Sequence, residues 1–236
     1  MKISVCLATY NGEKYITEQL KSILTQLGED DEIIISDDNS SDKTIEIING
    51  FNDKRIKILQ NKDKGITKNF ENALKNASGD YLFLSDQDDV WLPQKVFYSL
   101  KGLEYYDLVV TNCKVTDENL NIINQSYFDL NNSRSGFLKN FYRSSYLGCC
   151  LAFKKEMLTD ILPIPRNLYL YHDWWIGYLA DIKYKVKFID VPCLLYRRHD
   201  FNMSTTAKGS KRNLLFKVRD RFQLLYLGSL RLLKIL

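Results

Sequence analysis

The sequence lacks the features that define several classes of protein. It has no run of about 18 uncharged apolar residues, so it predicts no transmembrane helix. No secretory signal peptide precedes the first apolar run, and the five cysteines form no CxxC pair. These absences argue against a secreted disulfide-rich protein, a zinc site and a dithiol redox site. We expect free thiols and a cytoplasmic location.

Positive charge is concentrated near the end of the sequence. The 236 residues carry 33 Lys and Arg against 29 Asp and Glu, a net charge of +4. Eight of the basic residues, and one acidic residue, Asp220, lie between Lys208 and Leu236. The preceding part is therefore slightly acidic, which argues against a nucleic-acid-binding protein. The basic end suits contact with anionic lipid or another acidic surface.

Strand-like and helix-like segments alternate through the first third of the chain. Apolar runs typical of buried strands lie at residues 2–8, 32–36, 55–59 and 81–84. Apolar residues with helical spacing lie between them, at residues 13–26, 43–49 and 66–76. This β-α-β-α-β-α-β pattern predicts an α/β fold with a mostly parallel central sheet and helices on both faces. No GxGxxG follows the first strand, which argues against a dinucleotide-binding domain.

A polar cluster follows three of these strands. The clusters are Thr9-Tyr10, Asp37-Asp38 and Asp86-Gln87-Asp88-Asp89. Ligands gather at the carboxyl ends of parallel strands, so we expect the three clusters to line one cleft. Crowded carboxylates repel one another, and a divalent cation such as Mg²⁺ or Mn²⁺ relieves the repulsion. The alternative is an acidic turn in which Asp88 or Asp89 caps the next helix.

The second half of the chain is less regular. Strands are predicted at residues 107–113, 146–153, 186–189 and 194–196. Helices are predicted at residues 155–161, 171–181 and 213–236. A polar loop is expected at residues 131–135, and residues 198–210 suit a lid over a bound ligand.

Six short motifs resemble those of the family 2 glycosyltransferases, which have the nucleotide-sugar-binding GT-A fold. They are residues 8–12, 35–42, 85–91, 148–150, 172–175 and 196–199. Within the family, the sequence is most similar to bacterial rhamnosyltransferases and other enzymes of polysaccharide assembly. The resemblance implies an inverting transfer of rhamnose, galactose, glucose or a similar sugar from a UDP- or dTDP-sugar. The acceptor would be a hydroxyl of a cell-surface polysaccharide or lipid-linked glycan.

The resemblance also implies which residues bind the donor. Asp38 would accept a hydrogen bond from the nucleobase, Thr9 and Tyr10 would line the base and ribose pocket, and Asp86 would face the ribose. The other donor-binding candidates are Asn11, Glu13, Lys68, Gln87 and Arg198. Asp37 or Asp38 could instead cap the helix that follows them.

A metal ion, Mn²⁺ or Mg²⁺, is implied by the Asp-x-Asp pattern that ends in Asp88. The cation would bridge the two phosphates and stabilise the departing nucleoside diphosphate. His199 is the second candidate ligand, because an imidazole suits Mn²⁺; otherwise it is a loop residue.

Asp173 is the candidate catalytic base. Inverting transfer needs one carboxylate to take the proton of the acceptor hydroxyl. Burial beside two tryptophans would raise the pKa of Asp173 toward a working value, whereas the alternative is a plain helix cap. The acceptor- or sugar-pocket candidates are Asp89, Trp91, Gly148, Cys149, His172 and Trp174. Cys150 stands where the family often has a small hydroxyl residue.

We divide the chain into a GT-A catalytic domain, residues 1–207, and a basic amphipathic helical tail, residues 208–236. The tail could contact the inner face of the plasma membrane, pack on the catalytic domain, or join two copies of the chain. Two other functions share parts of this pattern. A sugar-1-phosphate nucleotidyltransferase needs a glycine-rich basic loop after the first strand, which the sequence lacks. A catalytically silent scaffold would not need the retained acidic residues.

Overall fold

Nine strands join in one sheet within the residues that the computed structural model describes, 1–199 and 214–235. The strands are β1 (Ile3–Thr9), β2 (Glu32–Asp37), β3 (Ile56–Gln60), β4 (Tyr81–Asp86), β5 (Val90–Trp91), β6 (Leu108–Thr116), β7 (Ile122–Asn124), β8 (Leu151–Lys154) and β9 (Val186–Arg197). The helices are α1 (Ile16–Leu24), α2 (Thr44–Gly50), α3 (Ile66–Asn76), α4 (Lys95–Leu103), α5 (Tyr127–Asn131), α6 (Phe137–Tyr142), α7 (Leu158–Ile161), α8 (His172–Lys183) and α9 (Leu214–Leu232). Short 3₁₀ helices span Gly148–Cys150 and Lys155–Met157.

The first four strands are parallel, in the order β3-β2-β1-β4. Every residue of β1 and β2 is buried, because helices cover the sheet on both faces. The buried side chains of α1, Ile16, Leu20 and Ile23, follow the helical spacing that the sequence showed. The predicted α/β fold is confirmed.

The second half of the sheet mixes directions. The order continues β4-β8-β6-β9-β5, and β7 pairs with β6. β8 is antiparallel to both β4 and β6, with Phe83 opposite Ala152. The residues just before β8, Gly148–Cys150, therefore lie beside the carboxyl end of β4. On the other side of β4, Asp86 lies opposite Ala8, and Thr9 lies opposite Asp37.

The predicted strand at 146–153 is shorter in the structure. Gly148–Cys150 forms a 3₁₀ helix, and the strand begins at Leu151. A Cβ on Gly148 would come within 2.8 Å of the His172 Nε2 atom, so the backbone there packs directly on the start of α8. This contact between distant residues, rather than local strand propensity, decides the conformation.

The two strands predicted at 186–189 and 194–196 are one strand, β9. Its pairing with β6 shifts between Ile189 and Pro192, so that two extra residues of β9 form a bulge. The Asn112 side-chain amide donates to Asp190 at 2.7 Å across this irregularity. Pro192, which has no backbone N–H, suits a bulge.

The acidic-turn alternative for Asp88 and Asp89 is wrong. The short strand β5 follows them directly, and α4 begins only at Lys95 with no side-chain cap. The polar stretch 131–135 connects α5 to α6, and within it the buried Asn131 donates to the Ser144 carbonyl at 3.0 Å.

The α9 helix packs on the rest of the described chain. Leu224 is buried, and a Cβ on Gly228 would overlap the Tyr178 ring of α8 at 2.1 Å. The guanidinium of Arg231 is buried and donates to carbonyl oxygens that follow α7, including that of Leu162 at 2.8 Å. Within the described residues no helix is long and apolar enough to cross a membrane. The predicted lid, 198–210, lies outside the described residues from position 200 onward.

Candidate active site

Gln87 joins the ends of β1 and β4. Its Oε1 atom accepts the Thr9 hydroxyl at 2.6 Å and the Tyr10 N–H at 2.8 Å, and its Nε2 donates to the Tyr10 carbonyl at 3.0 Å. A Cβ on Gly12 would come within 2.4 Å of Gln87 Oε1, so a glycine is required for this close approach. The Tyr10 side chain is 55% exposed and is not part of the hydrophobic core.

Asn11 and Glu13 hold the loop after β1 against the loop after β2. The Asn11 side-chain oxygen accepts the Ser41 N–H at 2.8 Å, and the Glu13 carboxylate accepts the Lys43 N–H at 3.0 Å. Both residues therefore shape the donor-side loops. Whether they also touch a nucleotide stays a prediction.

Asp37 and Asp38 bind different partners, and neither caps α2. Asp38 accepts the Asn61 side-chain amide at 2.9 Å and the Gly65 N–H at 2.9 Å. These bonds place the Asp38 carboxylate between the loops that follow β2 and β3. Asp37 instead accepts the Ser40 N–H at 2.9 Å, and the N–H at the start of α2 is bound by Asp42.

Asp86, Asp88 and Asp89 crowd the carboxyl end of β4. Burial, and then the charges of Asp88 and Asp173, raise the pKa of Asp86 to about 8. Burial, and then the charges of Asp88 and Asp86, raise the pKa of Asp89 well above its usual range. Asp89 is fully buried, and its Oδ2 has no hydrogen-bond partner among the described residues. Burial and mutual repulsion thus penalise the ionised carboxylates of this cluster, and a divalent cation would lower that cost.

The donor atoms present fit a cation such as Mn²⁺. His199 Nε2 lies 2.8 Å from the Asp88 carboxylate, and the His199 ring stacks on Tyr15 with the ring centroids 4.9 Å apart. A second group of ligand atoms, from Asp86, Asp89 and Cys149, lies within 4.8 Å of one another. Carboxylate and imidazole together suit Mn²⁺ better than Mg²⁺.

A cation is expected to stabilise the protein more at high pH than at low pH. Because the Asp86 pKa is raised in the folded state, folding takes up a proton and stability falls as the pH rises toward about 8. Ionised Asp86 then adds negative charge beside Asp88, so a cation held by Asp88 is attracted more strongly and displaces no proton. We expect Mn²⁺ to raise the Tm more above pH 8 than near pH 6, which thermal unfolding with and without Mn²⁺ measures. An equal shift at both pH values would contradict this assignment.

Arg197 positions the acidic cluster, a role that the sequence analysis missed. It is 4% exposed, its N–H donates to Asp89 at 3.0 Å, and its Nε donates to the Asp88 carbonyl at 2.7 Å. The same guanidinium reaches Glu18 at 2.5 Å. Adjacent side chains of a strand point to opposite faces, so only one of Arg197 and Arg198 can face the site from β9, and the sequence does not tell which. The Arg198 guanidinium lies over the Tyr196 ring, 5.7 Å from its centroid.

Replacing Arg197 by lysine is expected to weaken Mn²⁺-dependent binding of UDP by about tenfold. A lysine keeps the charge but cannot make all of the directed hydrogen bonds that the guanidinium donates to the Asp88 carbonyl, the Glu118 carbonyl and the Glu18 carboxylate. Titration calorimetry measures the effect, and Arg166→Lys, at a largely exposed arginine, is the matched control. If Arg197→Lys bound UDP with Mn²⁺ as tightly as the wild type, Arg197 would not position the acidic cluster.

Asp173 lies at the start of α8, on the same site. Its carboxylate accepts the Trp174 N–H at 2.8 Å, and burial raises its pKa to about 7. Its charge contributes to the raised pKa of Asp86, which shows that the two carboxylates are close in space. A Cβ on Gly148 would lie 3.9 Å from the Asp173 Cβ. The structure therefore brings together residues that are far apart in sequence.

His172 presents two polar atoms without partners. Its ring is buried and stacks on Phe70 with the centroids 4.0 Å apart, and neither ring nitrogen has a hydrogen-bond partner among the described residues. Burial lowers the pKa of His172 to about 3, so the ring is neutral. A neutral imidazole offers one donor and one acceptor, which suits a sugar hydroxyl.

Three other predicted residues lie elsewhere. The Trp91 ring is in the core, with its centroid 5.6 Å from that of Phe83. The Lys68 ammonium binds Glu71 and donates to the Ile164 carbonyl at 2.9 Å. The Trp174 ring is half-buried under α9, so the structure does not bring these three to the acidic cluster.

Cys149 is buried beside the acidic cluster and is in contact with a buried lysine, Lys95. The sequence analysis did not predict that this lysine is buried. The Lys95 side chain is 1% exposed, and its ammonium donates to the Cys149 carbonyl at 2.8 Å. The ammonium also lies 5.0 Å from the Trp91 ring centroid. No local pattern in the sequence distinguishes this lysine from a surface residue of α4.

Residues 4–162 match the family described as Glycosyl transferase family 2. The chain belongs to this family, as its motifs predicted, and its fold is the GT-A fold.

Two curated relatives are bacterial. The chain is 32% identical over 217 residues to "dTDP-rhamnosyl transferase RfbG" of Shigella flexneri, covering 83% of this chain and 72% of that protein. It is 37% identical over 95 residues to the E. coli glucosyltransferase WfgD, covering 40% of this chain and 38% of that protein. The name of WfgD gives UDP-Glc as its donor and a diphosphoundecaprenol-linked GlcNAc as its acceptor.

Two solved structures share the fold. S. aureus TarS 1–349 in complex with UDP superposes with a TM-score of 0.72 at 23% identity, covering 98% of this chain and 66% of that one. The mannosyltransferase PcManGT of Pyrobaculum calidifontis, in complex with GDP-Man and Mn²⁺, gives a TM-score of 0.58 at 20% identity, covering 80% and 54%. This chain thus spans about two thirds or less of the length of either structure.

Proposed function

We propose that the protein is an inverting, metal-dependent glycosyltransferase. It moves a sugar from a UDP- or dTDP-sugar to a hydroxyl of a growing cell-surface polysaccharide or lipid-linked glycan. The observation that carries the proposal is the gathering of Asp86, Asp88, Asp89 and Asp173 in one site, where neighbouring carboxylates raise the pKa of Asp86. The names of the relatives support the donor and acceptor classes.

Asp88 and His199 would hold the cation, Mn²⁺ or Mg²⁺. When bound, the cation supplies positive charge to the diphosphate leaving group. Arg197 keeps the Asp88 backbone and the buried Asp89 in place through the bonds described above. The bonds that Gln87 makes to Thr9 and Tyr10 hold the two strand ends together on the nucleotide side.

Asp173 would act as the base. As the acceptor oxygen bonds to the anomeric carbon and the bond from that carbon to the diphosphate oxygen breaks, the hydroxyl proton passes to the Asp173 carboxylate. Its pKa of about 7 suits this transfer near neutral pH. His172, Gly148 and Cys149 would surround the sugar and acceptor.

The remaining candidate residues would bind the nucleotide sugar. Asp38 would bind the nucleobase from its position between the loops after β2 and β3. Asp86 would face the ribose, and Arg198 would approach the diphosphate. The five cysteines are free thiols, which supports a cytoplasmic location.

A donor-hydrolysis screen tests the proposed function. UDP- and dTDP-sugars, including dTDP-rhamnose and UDP-glucose, are incubated with the protein and Mn²⁺, and the released nucleoside diphosphate is measured. We expect one sugar to be hydrolysed faster than the others and EDTA to stop the reaction. Hydrolysis that continues in EDTA would contradict the metal dependence, and absence of release from every donor would contradict the transferase assignment.

A further inference from the structure

One face of α9 is fully occupied by the catalytic domain. Asp220, Leu224, Gly228 and Arg231 are buried, and their spacing of three to four residues places them on one side of the helix. This side packs on α8 and on the chain after α7, as described above. The helix is therefore held firmly, and its orientation on the domain is defined.

The opposite side of α9 is an exposed apolar stripe, which we call the outer face. Its members are Leu215, Val218, Phe222, Tyr226 and Leu233, with exposures of 75%, 44%, 68%, 65% and 69%. Steps of three, four, four and seven residues keep these side chains in line, about half a turn from the buried side. Leu233 follows the last helical residue, and its N–H still donates to the Ser229 carbonyl at 3.0 Å.

Two large apolar side chains of α6, a helix that contacts α9, are also exposed. Leu138 and Tyr142 of α6 are 81% and 84% exposed. Arg221 of α9 donates to the Tyr142 carbonyl at 3.2 Å, which joins the two helices. Large apolar side chains that are contiguous on a surface mark an interaction site.

The exposed charges of α9 itself have one sign. Asp220, the one acidic residue in the α9 sequence, lies on the buried side, 1% exposed, and binds Arg219 at 3.0 Å. Lys217, Arg219 and Lys234 are exposed. An acidic partner is therefore favoured. A second copy is disfavoured, because pairing two outer faces would bring the same positive charges together.

We propose that the outer face of α9 binds the surface of an anionic lipid bilayer. A helix with an apolar stripe, aromatic side chains and flanking Lys and Arg lies in the bilayer interface with its apolar face inserted. Anionic headgroups attract the basic side chains. The buried side of the helix stays on the catalytic domain, so the whole domain is brought to the membrane.

The helix that carries the candidate base is in contact with α9. The Arg221 guanidinium carbon is 3.9 Å from the Trp174 ring centroid, and Gly228 packs on Tyr178 of α8. A bilayer bound to α9 would therefore hold the domain at the headgroups, where the glycan of a lipid-linked acceptor lies. This assignment of the acceptor's location rests on the proposed function; the binding of lipid does not.

Vesicle sedimentation tests the proposal. The full chain is mixed with vesicles of phosphatidylcholine alone, or of phosphatidylcholine and phosphatidylglycerol in equal parts. We expect binding to the anionic vesicles that weakens with added salt and is much lower on the neutral ones. The double variant Phe222→Ser/Tyr226→Ser is expected to lose at least about tenfold in affinity. Phe97→Ser, at a residue of α4 that is 61% exposed, is the control and should bind as the wild type does.

Three outcomes would overturn the proposal. They are absence of binding to anionic vesicles, equal binding by the double variant, and a wild-type dimer in analytical ultracentrifugation that the double variant dissociates. The dimer would make the outer face an interface between copies. Donor hydrolysis without vesicles, which the double variant should retain, separates this test from the proposed function. Its absence in the wild type would count against the transferase and leave the lipid result standing.

Discussion

The Asp173→Asn variant is expected to lose sugar transfer by about 10²- to 10⁴-fold while it binds donor as tightly as the wild type. Asparagine has nearly the shape of aspartate and can still accept the Trp174 N–H, but it cannot take the proton of the acceptor hydroxyl. The measurements are initial rates of transfer and, separately, the Kd of the donor by calorimetry in the presence of Mn²⁺.

Asp129→Asn serves as the matched control for that variant. Asp129 is an exposed residue of α5, so the same chemical change there should leave both the rate and the affinity unchanged. If Asp173→Asn turned over at the wild-type rate, Asp173 would not be the base. If it lost donor affinity to the same extent as rate, the carboxylate would serve binding rather than proton transfer.

The pH profile should report the same group. Burial raises the pKa of Asp173 to about 7, and a base must be deprotonated to act. The transfer rate at saturating donor and acceptor is therefore expected to fall about tenfold per pH unit below that pKa. If the rate stayed constant as the pH fell to the ordinary pKa range of an aspartate, either the pKa of Asp173 would not be raised or Asp173 would not be the base.

The Asp88→Ala variant is expected to abolish the effect of Mn²⁺ on nucleotide binding. The carboxylate contributes a hard oxygen ligand, and without it the cation loses its main anchor. We expect the Kd of UDP with Mn²⁺ to rise by on the order of a hundredfold, to the value measured without metal. Calorimetry with UDP in the presence of Mn²⁺ or EDTA gives both numbers.

Two further proteins make the Asp88 result decisive. Asp88→Asn keeps the shape of the side chain, so a loss in both variants with unchanged Tm excludes misfolding as the cause. Asp129→Ala, at an exposed position, should keep the full Mn²⁺ effect. If Asp88→Ala kept the full Mn²⁺ effect, the cation would have to bind elsewhere, and the other group of ligand atoms, from Asp86, Asp89 and Cys149, would be the candidate site.

The sequence predicted the first half of the fold well because its signals there are local. The α3 helix, Ile66–Asn76, has the predicted bounds, since Gly65 precedes it with a φ of 101° and its apolar spacing is regular. Strands that are apolar throughout indicated a sheet covered on both faces. The parallel order then follows from short crossovers, and so does the meeting of Thr9, Asp37 and Asp86 at one edge.

The second half depends on contacts between distant residues. The 3₁₀ helix at Gly148–Cys150 forms where the backbone packs on His172. The residues near Gly148 in the sequence do not predict this contact. The burial of Asp89 depends on the N–H of Arg197, more than a hundred positions away. Alternation along a strand separates two faces but does not say which is inward, so the sequence analysis placed Arg198 in the donor site and did not find the positioning role of Arg197. The burial of Lys95 could not be predicted either, because nothing in the local sequence distinguishes a buried lysine from a surface lysine of a helix.

The most direct measurement is a crystal structure of the chain with Mn²⁺ and the nucleotide sugar that the screen identifies. We predict one cleft in which the cation contacts Asp88, the nucleobase lies against Asp38, and Asp173 faces the anomeric carbon from the side opposite the diphosphate. A nucleotide bound away from the carboxyl ends of β1, β2 and β4, or an Asp173 carboxylate turned away from the sugar, would contradict this account.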